Sequence, residues 1–161
     1  MPAPLRAWYT PAEIEALAKR RAVVEGKFDW ASLSRLAEYL PAERGSVTAR
    51  FEFSSGSAGW QTLDLDYHAS VSVECQRCLG MFELVVANQV RFALLADESL
   101  VEHVPEGLEP VVTGDDRWQP SDLIEDELII TVPYAPKHAT EVACREHSAA
   151  LRKYSDNAAK Q

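Results

Sequence analysis

The sequence is short of basic residues, of cysteines and of long apolar runs, and each shortage excludes something. Lys and Arg number 16 against 25 Asp and Glu, a net charge of −9. Taken whole, that balance argues against a basic nucleic-acid-binding surface or an anionic-membrane binder. No window holds the roughly 18 consecutive apolar residues of a membrane-spanning helix. The opening Met1-Pro2-Ala3-Pro4-Leu5-Arg6 lacks the apolar region of a secretory signal, so a cytoplasmic protein is expected. The three cysteines, an odd number, suit a reducing compartment and disfavour a disulfide framework. There is no internal repeat, phosphate-binding glycine loop or nucleophile elbow, and nothing points to a small-molecule substrate.

What is present reads as a single α+β domain over residues 1–161, with a folded body at 10–149. Thr10-Pro11-Ala12-Glu13 is a helix start with the elements of a capping box, and the helix ends near Arg20 or Arg21. Residues 22–28 read as a strand. Asp29 caps a second helix carrying Trp30, Leu33, Leu36, Ala37 and Leu40 on one face, with Pro41 as its stop. From Val47 the apolar period becomes two. Leu63, Leu65, Tyr67, Ala69, Val71, Val73 and Cys75 share one face of a long strand, and Phe82, Leu84, Val86, Val90, Phe92 and Leu94 share one face of the next. Joined by a short Gly80-containing loop, they predict a long antiparallel hairpin at the centre of an antiparallel sheet, open or barrel-like, with N- and C-terminal helices packed on it.

The acidity is concentrated. Eleven acidic residues and one basic residue, Arg117, lie between Asp97 and Glu127, leaving fourteen acidic and fifteen basic in the rest of the chain. Residues 96–120 read as a mobile acidic connection, and 150–161 as a frayed tail. A helix from about Leu123 to Thr131, capped by Ser121-Asp122, follows. Its Glu125, Asp126 and Glu127 are candidates for a surface that meets a basic partner. An acidic helix also offers the carboxylates of a metal-dependent hydrolase or nuclease. Small basic groups, Lys19, Arg20, Arg21 and Lys27 near the first helix end and Arg152, Lys153 and Lys160 in the tail, remain as phosphate contacts.

Cys75-Gln76-Arg77-Cys78-Leu79-Gly80 is the most informative stretch. Two thiolates three residues apart can chelate one tetrahedral metal ion, and Gly80 lets the backbone curl with its amides aimed at sulfur. Cys144, with His138 or His147, would complete a zinc site of three thiolates and one imidazole that cross-links the hairpin tip to the C-terminal segment. Two other readings stay open: reduced cysteines at a turn, and a redox pair, which normally needs a helix N-terminus.

Val73-Glu74-Cys75-Gln76-Arg77-Cys78 at the end of a long strand resembles the central signature of the bacterial YceD family of large ribosomal RNA subunit accumulation proteins. Glu125-Asp126-Glu127-Leu128-Ile129-Ile130 and the following Val132-Pro133-Tyr134-Ala135-Pro136-Lys137-His138 resemble that family's acidic helix and its tail. The resemblance implies a cytoplasmic, non-enzymatic role in the synthesis, processing or stability of 23S ribosomal RNA, with a large-subunit precursor (its RNA or a basic ribosomal protein) as partner. It also implies that Cys75 and Cys78 are the family's cysteine pair, with His138 and Cys144 as tail counterparts; Arg77, between the two cysteines, joins Glu125, Asp126 and Glu127 as a candidate partner contact. The readings that remain beside it are the hydrolase on the acidic helix and a zinc-stapled protein-binding module unrelated to RNA.

Overall fold

A computed structural model describes residues 1–40 and 45–158, the side chains of Ser57 and of residues beyond 149 excepted. Six strands form one sheet in sequence order: β1 (Ala3–Pro4), β2 (Val23–Phe28), β3 (Gly45–Ser55), β4 (Gln61–Glu74), β5 (Met81–Leu95) and β6 (Glu109–Val112). Four helices accompany them: α1 (Pro11–Lys19), α2 (Ser34–Tyr39), α3 (Pro120–Thr131) and α4 (Glu141–Ala158).

The β4–β5 hairpin is the spine. Its register runs from Gln61 opposite Leu94 to Glu74 opposite Met81. Alternation dictates the two faces: Leu63, Leu65, Tyr67, Ala69, Val71 and Val73 are all buried, while Asp64, Asp66 and Arg91 stand on the wet face, where Arg91 pairs with Asp64 at 2.7 Å. Val47, Ala49, Phe51 and Phe53 of β3 extend the buried face. It is covered by Ile14, Leu17 and Ala18 of α1 and by Leu123, Ile124 and Leu128 of α3.

The sheet is mixed rather than purely antiparallel, and it is not a closed barrel. β2 to β5 pair antiparallel, but β1 runs parallel to β2, and β6 parallel to β5. The parallel edges arise because the chain crosses the sheet before each pairs: α1 lies between β1 and β2, and the segment after Leu95 returns to lay β6 alongside. Within the acidic connection of residues 96–120, that return adds short elements that carry no period in the sequence. A 3₁₀ turn at Glu98–His103 starts where Asp97 accepts the Ser99 N–H at 2.6 Å, and Val111 of β6 packs against the core.

Three boundaries differ from the sequence reading. The helix expected from Asp29 is broken into a 3₁₀ turn at Trp30–Ser32 and the six-residue α2; the expected stop, Pro41, lies outside the described residues. Helix α3 begins at Pro120, with Gln119 rather than Ser121-Asp122 at the cap position. Helix α4, for which the sequence reading gave no start, runs from Glu141 to Ala158.

Candidate metal centre

The strand signature delivers Cys75 to the end of β4 facing the core, and the chain turns over Gln76–Cys78 into β5. The turn closes through Cys75 N–H to the Gly80 carbonyl (2.9 Å) and Leu79 N–H to the Cys75 carbonyl (2.8 Å). Leu79 takes the left-handed conformation, φ 59°. Gly80 is needed for space: a Cβ there would collide with the imidazole of His147.

The C-terminal segment is stitched to this turn by backbone. Gln76 N–H donates to the Pro136 carbonyl at 2.9 Å, and the Arg77 guanidinium donates to the His138 carbonyl at 2.6 Å. Thr140 Oγ1 accepts the Ala143 N–H at 3.3 Å near the start of α4, which carries Cys144 one turn in. Together these contacts bring Cys75, Cys78, His138 and Cys144 to one point, with their ligand atoms within 4.8 Å of one another. Such a cluster could bind a metal. Of the two histidines left open by spacing, His138 enters; His147 packs over Gly80, its ring centre 6.5 Å from that of His138.

The cluster's electrostatics fit ligand duty. Burial pushes the Cys75 thiol up, but the backbone N–H groups of His138, Arg77 and Cys78 and the His138 side chain outweigh it, holding the thiol at about 5. Cys144 is pushed up to about 11, first by burial and then by the neighbouring Cys75 and Cys78 sulfurs. A metal ion would neutralise this crowding of sulfur and draw off the remaining protons. Phe82 lies against the His138 ring, centroids 4.6 Å apart, and fixes its plane. Sequence alone gave Phe82 only a place on the core face; nothing in the pattern marked it as a neighbour of the cluster.

The carboxylates of α3 do something other than present a common surface. Glu125 is buried at 3% exposure and accepts hydrogen bonds from the backbone N–H groups of Arg35 (2.8 Å) and Leu36 (3.1 Å) and from Arg35 Nε (3.1 Å). Asp126 is half-exposed and pairs with Arg35 at 2.7 Å. Glu127 is buried on the sheet side. Among the described residues, the Cys75–Cys78–His138–Cys144 group alone gathers three or more metal-ligating side chains. The acidic helix does not supply the convergent carboxylates that a metal-dependent hydrolase needs.

Burial, with Glu109 and Asp126 nearby, pushes the Glu127 carboxyl up. A raised folded-state value means that stability falls as pH rises from the unfolded carboxylate range through the folded one. Glu127→Gln is therefore expected to melt above the natural protein at pH 8 and to lose that advantage below about pH 4, where both states are protonated. Thermal unfolding across that range tests it, and an advantage that persists in acid would refute the electrostatic cause.

Comparison with known proteins finds one family over the span that carries the cluster. The family model described as "Large ribosomal RNA subunit accumulation protein YceD" matches residues 63–161, which include most of β4 and all of β5, the cluster and α3. A protein of Haemophilus influenzae named "Large ribosomal RNA subunit accumulation protein YceD" is 26% identical over 127 residues, covering 77% of this chain and 72% of that protein. No solved structure matches. The cysteine-bearing hairpin and the acidic helix that follows it thus lie inside the matched span, and the chain belongs to the YceD family.

Proposed function

We infer that this protein is a non-enzymatic cytoplasmic factor in the accumulation of large-subunit ribosomal RNA. It works on a large-subunit precursor, its body stapled by a zinc ion held by Cys75, Cys78, His138 and Cys144. Membership of the family carries the ribosomal part of this reading. The donor set carries the metal part. With Zn–S near 2.3 Å and Zn–N near 2.0–2.1 Å, a tetrahedron places sulfurs about 3.8 Å apart and sulfur about 3.5 Å from nitrogen. Cys75 Sγ and Cys144 Sγ are 3.7 Å apart, and the Cys78 and Cys144 sulfurs each lie 3.4 Å from His138 Nδ1. Four protein ligands close the coordination sphere, which fits a structural staple rather than catalysis.

The partner surface follows from charge. Glu125 and Glu127 are engaged in the fold, so the contact falls instead on the exposed carboxylates of 97–116, among them Glu98, Glu102, Glu106, Asp115 and Asp116. None of these five pairs with a cation among the described residues. An unpaired acidic flank favours a basic ribosomal protein over RNA as the immediate contact.

Co-sedimentation with large-subunit precursor particles is the test. Association is expected at low salt and should weaken as salt rises. Replacing Glu98, Glu102, Asp115 and Asp116 by lysine should weaken it further. Tighter association of that variant would point to RNA as the contact, and no association with RNA intact would sink the reading.

A further inference from the structure

The three exposed lengths of strand edge are not treated alike. At one side of the sheet, β1 is two residues long and follows and ends on prolines, Pro2 and Pro4, which have no N–H to offer. At the other, β6 carries Glu109 and Pro110 on its outer strand. But β6 covers only Phe92–Leu95 of β5. The remainder of β5, from Met81 to Arg91, has no strand paired on that side among the described residues.

Among the described residues, half of its backbone groups have no partner in a neighbouring strand, and their parity can be fixed. Cys75 N–H donates to the Gly80 carbonyl, so 75 and 80 form a hydrogen-bonded pair of the antiparallel ladder. Such pairs recur every second residue. In the observed register the even-numbered residues of β5 therefore bond to β4, and the odd-numbered ones direct N–H and C=O away from it. Two contacts agree. The Leu95 carbonyl accepts from Thr113 N–H just beyond β6 (2.7 Å), and the Gln89 N–H, lacking a strand partner, turns to the Asn88 side chain (2.9 Å).

Met81, Glu83, Val85, Ala87 and Gln89 thus present an unpaired nine-residue edge. It contains no proline and no lysine and carries one charge, Glu83. Met81 and Val85 are 54% and 65% exposed. An edge of this length without proline, lysine or bulge is a template for another strand.

We propose that a second copy of this chain is that strand: two protomers join β5 to β5, antiparallel, about a two-fold axis at Val85. The sequence is self-complementary in this register. Val85 faces Val85, Glu83 faces Ala87 and Met81 faces Gln89 on the wet face; Leu84 faces Val86 and Phe82 faces Asn88 on the core face. No like charges meet. The two neighbouring registers fail, one on charge and one on space. An axis at Glu83 sets Glu83 against itself. An axis at Ala87 pushes Phe82 and Met81 of the partner into the span that β6 already occupies beside Phe92–Leu95. At Val85 five hydrogen-bonded pairs form, and the two sheets become one continuous sheet with its apolar edge covered. This proposal stands apart from the metal and ribosomal readings.

Sedimentation equilibrium of the full chain across the micromolar range tests it. The expected mass is twice 17.9 kDa for the natural protein. It should fall to 17.9 kDa for Val85→Pro, which deletes the axial N–H, and for Val85→Lys, which sets two cations on the axis. Ala87 supplies a test that does not depend on those variants folding. Ala87→Lys places a lysine opposite Glu83 twice per dimer and should tighten association roughly three- to tenfold, whereas Ala87→Glu should loosen it by a similar factor. A monomer at every concentration overturns the proposal, even if another protein is found to pair with this edge. So does an equal response to lysine and glutamate at position 87.

Discussion

Replacing Cys144 by serine, or stripping the metal with a chelator, is expected to lower stability by about 4 kcal/mol, from the closure entropy of the loop it ties. Cys75 and Cys144 are 69 positions apart, so a metal bridging them constrains the unfolded chain as a long-loop cross-link does. The loss should concentrate in the C-terminal segment. Among described side chains of α4, Cys144 is the one fully buried, and the segment before it is tied to the β4–β5 turn through Gln76 and Arg77. The sheet keeps its own core of Phe51, Phe53, Leu63, Leu65 and Tyr67, so α4 is expected to detach first while the strands remain. Elemental analysis should find one zinc per chain with three protected thiols in the natural protein. Cys144→Ser should lose the zinc, expose Cys75 and Cys78 to thiol reagents and open residues beyond Tyr134 to proteolysis. Protein isolated without metal, with three reactive thiols and a melting point indifferent to Cys144→Ser, would dispose of the staple.

How much of this could be read beforehand depends on whether the information is local. The β4–β5 hairpin was legible because alternation over more than ten residues leaves one register that buries Leu63 to Val73 together. Helix α1 was legible from Thr10 and Glu13, whose reciprocal capping contacts are present. The metal centre was half legible. Cys-x-x-Cys is a local signal, but the choice between His138 and His147 depends on how the segment after α3 returns, which spacing does not encode. Strands β1 and β6 escaped because a two-residue strand and a Glu-Pro-Val-Val strand carry no period of their own; pairing with a distant neighbour makes them strands. How α3 uses its carboxylates was not legible for the same reason. Charge density in the sequence suggested an outward surface, while the residue that claims Glu125 is Arg35, 90 positions away.

That contact carries the second large effect. Glu125→Ala is expected to destabilise the protein by about 3 kcal/mol, and Glu125→Gln by about 1. Helix α2 has Leu33 at its cap position and no side-chain cap of its own, so its first amides would be orphaned. Glu125 Oε1, reaching across from α3, accepts both the Arg35 and Leu36 N–H groups, and Leu36 is fully buried. Alanine leaves those donors unmet in a dry site, which costs more than losing the ion pair itself. Glutamine keeps a carbonyl oxygen for the two amides and forfeits the Arg35 Nε contact, made by a side chain 47% exposed and therefore screened. Arg35 would still reach Asp126 and the Asp122 carbonyl (2.9 Å). Urea denaturation of the two variants separates the contributions. Equal costs would show that the carboxylate's charge, not its capping oxygen, holds α2 against α3; a cost below about 0.5 kcal/mol for alanine would show that α2 needs no cap. The distinction bears on function. A carboxylate used for a partner can be neutralised without loss of stability, whereas one that caps a buried helix cannot, so any loss of precursor binding in Glu125→Ala must be read beside the same measurement on Glu125→Gln.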